Sequence, residues 1–124
     1  MLALVVANPG PVRDGLVALM EATLDVRKIV QIAQAEDALE FVLTISPDIT
    51  LIHASPLSLE LASLISNMKR SCQCPLLIIV NSEEARNSVV AQGADVVVME
   101  GLPSAKLKNL ITSLLQQNAD TLTS

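Results

Sequence analysis

Apolar and polar positions along the chain alternate between two regimes. Five short runs are dominated by aliphatic side chains: Leu2–Ala7, Ile29–Ala33, Ile49–Ile52, Leu76–Val80 and Val96–Met99. Continuous aliphatic runs of this length, bounded by turn formers, predict strands buried on both faces. The second run is the exception, because Arg27, Lys28 and Gln31 interrupt it, and it predicts an edge strand. Between the runs the apolar period becomes helical. Leu16, Leu19, Met20 and Leu24 mark a first helix, and Ala35, Ala38, Leu39, Val42 and Leu43 a second. Leu57, Leu61, Leu64, Ile65 and Met68 give the clearest stripe. Ala85, Val89 and Val90 give a short fourth helix with Ser82 as its cap, and Leu107, Leu110, Ile111, Leu114 and Leu115 a fifth after Pro103.

Breakers fall where the period changes: Asn8-Pro9-Gly10-Pro11, Ser46-Pro47-Asp48, Ser55-Pro56, Pro75, Gly93 and Gly101-Leu102-Pro103. Strands alternating with helices over short connections predict an α/β chain, with a parallel sheet, right-handed crossovers and helices on both faces. Such an open sheet carries its ligand crevice at the carboxyl ends of the strands. That places Ala7, Asn8, His53, Val80, Asn81 and Glu100 under scrutiny.

Composition narrows the picture. A chain of 124 residues, 51% of them apolar, suffices for one packed domain. Phe41 is the only aromatic residue, so Leu, Ile, Val and Ala must build the core. The net charge of −5 and the absence of any basic stripe predict that this segment does not itself bind nucleic acid. No apolar run approaches the length of a bilayer span, and Met1–Ala7 reads as a first strand rather than a signal peptide. Cys72 and Cys74 are too close for an ordinary disulfide and lack a second ligand pair for zinc. They read as reduced thiols in a loop of a cytoplasmic protein. The polar stretch from Gln116 to Ser124 reads as a frayed helix or the start of a linker.

Three segments carry a family likeness. Asn8-Pro9-Gly10-Pro11-Val12-Arg13-Asp14-Gly15-Leu16 resembles the entry to the first helix of response-regulator receiver domains, in the subfamily that often carries a LuxR/NarL-type helix-turn-helix output domain. Ser46-Pro47-Asp48-Ile49-Thr50-Leu51-Ile52 is similar to the entry to the receiver's third strand, and Gly93-Ala94-Asp95-Val96-Val97-Val98 to the entry to its fifth. The resemblance covers Leu2 to about Leu115. It implies a flavodoxin-like, three-layer α/β/α sandwich with strand order 2-1-3-4-5. Residues 1–117 then form the domain and 118–124 a tail or linker.

The same resemblance implies a pocket stripped of its chemistry. The receiver's acidic pair falls on Ala7 and Asn8, its phosphoacceptor aspartate on His53, its lysine on Glu100, its Ser/Thr on Val80 or Asn81, and its aromatic switch residue on Val97. Phosphoryl transfer needs magnesium, and magnesium needs several hard oxygen ligands. Asn8 and Glu100 alone are too few, so neither metal nor cofactor is expected. His53 and Glu100 invite a sharper reading. Within about 4 Å of each other, carboxylate and imidazole would form a structural pair, or a pH sensor. Otherwise His53 is a neutral histidine bonded to backbone.

Other chemistries fit less well. A phosphohistidine relay or metal site would have one histidine and no companion ligands. Cobalamin binding would want a D-x-H-x-x-G pattern that is absent around His53. A flavin or nucleotide cradle at Asn8–Gly15 would lose two backbone donors to Pro9 and Pro11 and have no aromatic to stack. A Ser–His–Asp hydrolase would need a nucleophile elbow that the chain lacks. The expected function is therefore regulatory and non-enzymatic: a phosphorylation-independent pseudo-receiver acting on a partner protein or as a homodimer, with DNA reached only through a further domain and no part for a membrane. The resemblance puts its interaction face on the fourth helix, fifth strand and fifth helix, with Arg86, Val89, Val90, Val97, Lys106 and Leu110.

Overall fold

The computed structural model describes the backbone at residues 2–23, 27–54, 59–71 and 75–123, and the side chains there except at 35, 36, 60, 71 and 116–123. Leu24, Ser55, Pro56, Leu57, Cys72 and Cys74, all named above, lie outside the described residues. Strands and helices alternate throughout: β1 (Leu2–Val6), α1 (Pro11–Glu21), β2 (Lys28–Ile32), α2 (Ala35–Thr44), β3 (Ile49–His53), α3 (Leu59–Ser71), β4 (Leu76–Val80), α4 (Glu83–Ala91), β5 (Val96–Met99) and α5 (Ser104–Thr123). The five strands are parallel in the order β2-β1-β3-β4-β5. This is the expected three-layer sandwich, with the interrupted strand β2 at one edge.

Alternation along the strands divides the core in two. Leu4, Val6, Ile52, Leu76, Ile78 and Val80 pack with α2, α3 and α4 on one face. Ala3, Val5, Ala7, Ile49, Leu51, Leu77, Ile79 and Val98 pack with α1 and α5 on the other. β4 is buried at every position, as a central strand covered on both faces should be. β5 reads equally aliphatic, yet only Val98 of its four residues is buried. Its place at the second edge leaves the other three half-covered.

The helices obey their stripes with three departures. Leu43 is 60% exposed, because it sits about 140° around α2 from the buried Ala38. Phe41 packs against the core in its stead. On α4 the inward pair is Ala85 and Val89, one turn apart, so Val90 turns outward at 56% exposure. The Ser82 hydroxyl accepts from the Ala85 amide at 3.1 Å, the cap that the sequence suggested. Finally, α5 runs on through the polar tail to Thr123.

Two of the family-like segments share one structural device. Asp48, just before β3, exchanges backbone and side-chain bonds with the first residue of neighbouring β1. Leu2 N donates to Asp48 Oδ2 at 2.7 Å, while Asp48 N donates to Leu2 O at 2.8 Å. Asp95, just before β5, repeats this with β4: Leu76 N donates to Asp95 Oδ2 at 2.8 Å, and Asp95 N to Leu76 O at 3.1 Å. Each carboxylate satisfies a strand's first N–H, which would otherwise lack a ladder partner, and so pins the parallel register. Lys69 Nζ adds a bond to Asp95 at 2.8 Å. Asp95→Ala should therefore cost about 1–3 kcal/mol, read as a lower urea midpoint at unchanged slope.

Candidate functional site

Register and alternation assemble the crevice at the carboxyl ends of the strands. His53 is level with Ile79, and Ile79 with Val98. Ala7, one residue past the Val6–Ile52 pair, continues that row on the α1/α5 face. Glu100 follows Val98 by two residues on the same face, its amide donating to Val80 O at 2.8 Å. Two residues at the carboxyl ends of strands that are not neighbours thus face each other across the end of β4. His53 Nε2 lies 2.7 Å from Glu100 Oε1.

A carboxylate only accepts, so Nε2 carries the hydrogen and donates it. Both the neutral Nε2–H tautomer and the imidazolium satisfy that requirement. The His53 side chain is 15% exposed and that of Glu100 37%, placing the pair at the mouth of the crevice. Of the readings open for His53, the contact with Glu100 is the one observed.

The remaining expected pocket residues do not converge on this pair. Ala7 is buried and offers no polar atom. Asn8 and Asn81 are exposed beyond the ends of β1 and β4. Val80 is fully buried in the cluster on the opposite face, so Asn81 is what remains of that choice at the rim. Among the described residues, no three His, Cys, Asp or Glu side chains come together as a metal ion would require.

The expected interaction face is also divided. Val89 has no exposed surface and belongs to the core, which corrects its assignment to that face. Arg86 is exposed and lies 3.7 Å from Glu83 on its own helix. Lys106 is exposed, while Val97 and Leu110 are half-buried against the two clusters. Asp95 is engaged by Lys69 within the chain.

Periodicity gave no sign of one further feature. A mostly apolar groove of about 240 Å³ opens between α1 and α5, lined by Val12, Leu16, Ile79, Val98, Leu102 and Leu107, with Glu100 at its edge. Gly15 and Gly101 are among its lining residues, and a Cβ at either would project into open space.

Comparison with solved structures settles the fold. The receiver domain of the response regulator NarL from Mycobacterium tuberculosis superposes with a TM-score of 0.80 at 14% identity, covering 93% of this chain and 95% of that one. A CheY-like receiver domain from Methanospirillum hungatei JF-1 reaches 0.81 at 16% identity, covering 97% of each chain. This chain has the receiver fold. NtrX from Brucella abortus also contains the fold, with a TM-score of 0.81 at 18% identity over 98% of this chain and 28% of that longer one. No protein-family model matches the chain, and no curated protein matches it in sequence. The likeness therefore rests on three-dimensional shape. No helix among the described residues is long and apolar enough to cross a membrane.

Proposed function

We propose that this receiver-fold domain is a cytoplasmic regulatory module of the two-component type that works through protein contact and without aspartyl phosphorylation. The observation that carries this reading is the His53–Glu100 bond. The position of the phosphoacceptor holds an imidazole and that of the receiver lysine a carboxylate, joined to each other across β4. A magnesium-bound phosphoryl group would meet one carboxylate already committed to His53, with Ala7 and Asn8 in place of the acidic pair. Repulsion by Glu100 would replace the charge neutralisation that phosphoryl transfer needs.

The module would use no metal, cofactor or catalytic residue of its own. Its partner is a protein or a second copy of the chain, met on the surface of α4, β5 and α5 where Arg86, Val90 and Lys106 are exposed. Residues 1–117 form the module. Residues 118–124, helical to Thr123, would lead towards any output domain, which alone would touch DNA.

Incubation with acetyl phosphate and magnesium tests this directly, read by intact mass and by oligomeric state in solution. We expect no mass gain and an oligomeric state indifferent to both reagents. A gain of one phosphoryl group that disappears in His53→Ala would overturn the reading and put histidine chemistry in its place.

A further inference from the structure

We infer that the His53–Glu100 pair is a latch that sets the position of the β5–α5 turn, and through it the shape of the groove between α1 and α5. The inference concerns how the proposed interaction module is held in one conformation, and rests on that reading only for its biological use.

The latch joins elements that the sheet leaves unjoined. β3 and β5 both pair with β4 and not with each other. The last sheet-like backbone bond on this side is Glu100 N to Val80 O at 2.8 Å. Beyond it the chain enters a turn whose own bond, Leu102 N to Met99 O, is long at 3.4 Å. Gly101, at the centre of that turn, has φ of +91° and open space around its missing Cβ. A left-handed glycine whose missing Cβ would face open space is a point at which the backbone readily changes direction. Only at Pro103, whose carbonyl accepts from Lys106 N at 3.0 Å and Leu107 N at 3.1 Å, does helical order resume.

The same turn forms a wall of the groove. Met99, Glu100, Gly101, Leu102, Ser104 and Leu107 line it opposite α1. Glu100 is thus the one residue shared by pair and groove. Ile79, which lies level with His53 in the sheet, is also part of the groove. Releasing Glu100 from His53 removes the side-chain bond that ties the start of a glycine-centred turn to β3, and Leu102 and Leu107 move with it. The strands beneath stay in place, because their ladders and the Asp48 and Asp95 bonds are untouched.

The experiment compares the full chain with Glu100→Ala and His53→Ala by hydrogen exchange and by methyl NMR. Both variants should speed amide exchange across residues 101–107 by roughly three- to tenfold, the loosening expected for loss of one net hydrogen bond. Exchange in β1 and β3 should stay as in the parent. The methyl signals of Val12, Leu102 and Leu107 should shift, while those of Leu64 and Ile65, on the far side of the sheet, should not. Unchanged exchange at the turn overturns the latch, as does equal acceleration along the whole chain or a groove whose methyl signals stay fixed. Mass analysis after acetyl phosphate treatment decides the phosphorylation-independent reading separately, so the two can fail independently.

Discussion

Ala7→Asp, Asn8→Asp, His53→Asp and Glu100→Lys, made together, are expected to yield a chain that gains one phosphoryl group from acetyl phosphate in the presence of magnesium, where the parent gains none. The sheet already puts the backbone in place. Positions 7 and 53 share a row on the α1/α5 face, and position 100 stands across β4 from position 53. What is missing is oxygen ligands and a cation to hold the transferred group. Three carboxylates crowded at that end would repel one another, most severely at position 7, which is buried. Without metal the variant should be less stable than the parent. Magnesium binding only the folded state returns about 1.4 kcal/mol at ten times its dissociation constant. For a domain of this size that is a rise of roughly 4–8 °C in melting temperature. Thermal unfolding with and without magnesium checks the metal site, and intact mass checks the chemistry. A variant that melts with magnesium-dependent stability but gains no mass would show that the crevice can bind the metal without aligning a phosphodonor.

Most of the fold was legible because aliphatic runs and helical stripes answer to local periodicity and burial. Leu76–Val80 could hardly be anything but a central strand, and Arg27, Lys28 and Gln31 marked β2 as an edge. β5 was misjudged as buried on both faces because Val96, Val97 and Val98 look like a central strand. Edge position follows from strand order, which composition within one strand does not encode. Val89 and Val90 show the same limit on a helix. A short, weak stripe fixes that α4 is amphipathic without fixing which of two adjacent valines faces inward. Asp48 and Asp95 were visible as parts of family-like segments, but their reciprocal bonds to Leu2 and Leu76 depend on which strands become neighbours.

The candidate site was legible in its central pair and obscure at its border. His53 and Glu100 met because one ends and the other directly follows a strand whose register and parity are dictated by hydrophobic packing. Val80 and Asn81 stayed alternatives for one pocket position because the loop after β4 looks shortened, and a shift of one residue there changes which face of the sheet the position occupies. The structure places Val80 in the opposite core. The groove beside α1 had no periodic signature, since it is lined jointly by α1, the ends of β4 and β5, the β5–α5 turn and α5, which come together only in the fold.

Val89→Asp and Val90→Asp are expected to behave oppositely although the two residues are neighbours on one helix. Val89 has no exposed surface and packs with Val80, Ala85 and the α3 side chains of the same cluster. Its replacement forfeits about 1.5–3 kcal/mol of apolar burial and leaves a carboxylate without a charge partner, at a further cost of several kcal/mol. Against a total stability of about 5–15 kcal/mol for a domain, this leaves the variant largely unfolded or aggregated at ambient temperature. Circular dichroism and the urea midpoint would show it. Val90 is 56% exposed, so the same change there should alter stability by no more than about 0.5 kcal/mol. Its effect should fall on association instead. Where α4 forms the contact between copies or with a partner, a charge in place of the exposed Val90 side chain removes binding while the folded spectrum is kept. Sedimentation of the Val90 variant beside the parent separates the two effects. A folded Val90→Asp chain that associates as the parent does would move the contact away from α4, leaving the surfaces of α5 and the α1–α5 groove to carry it.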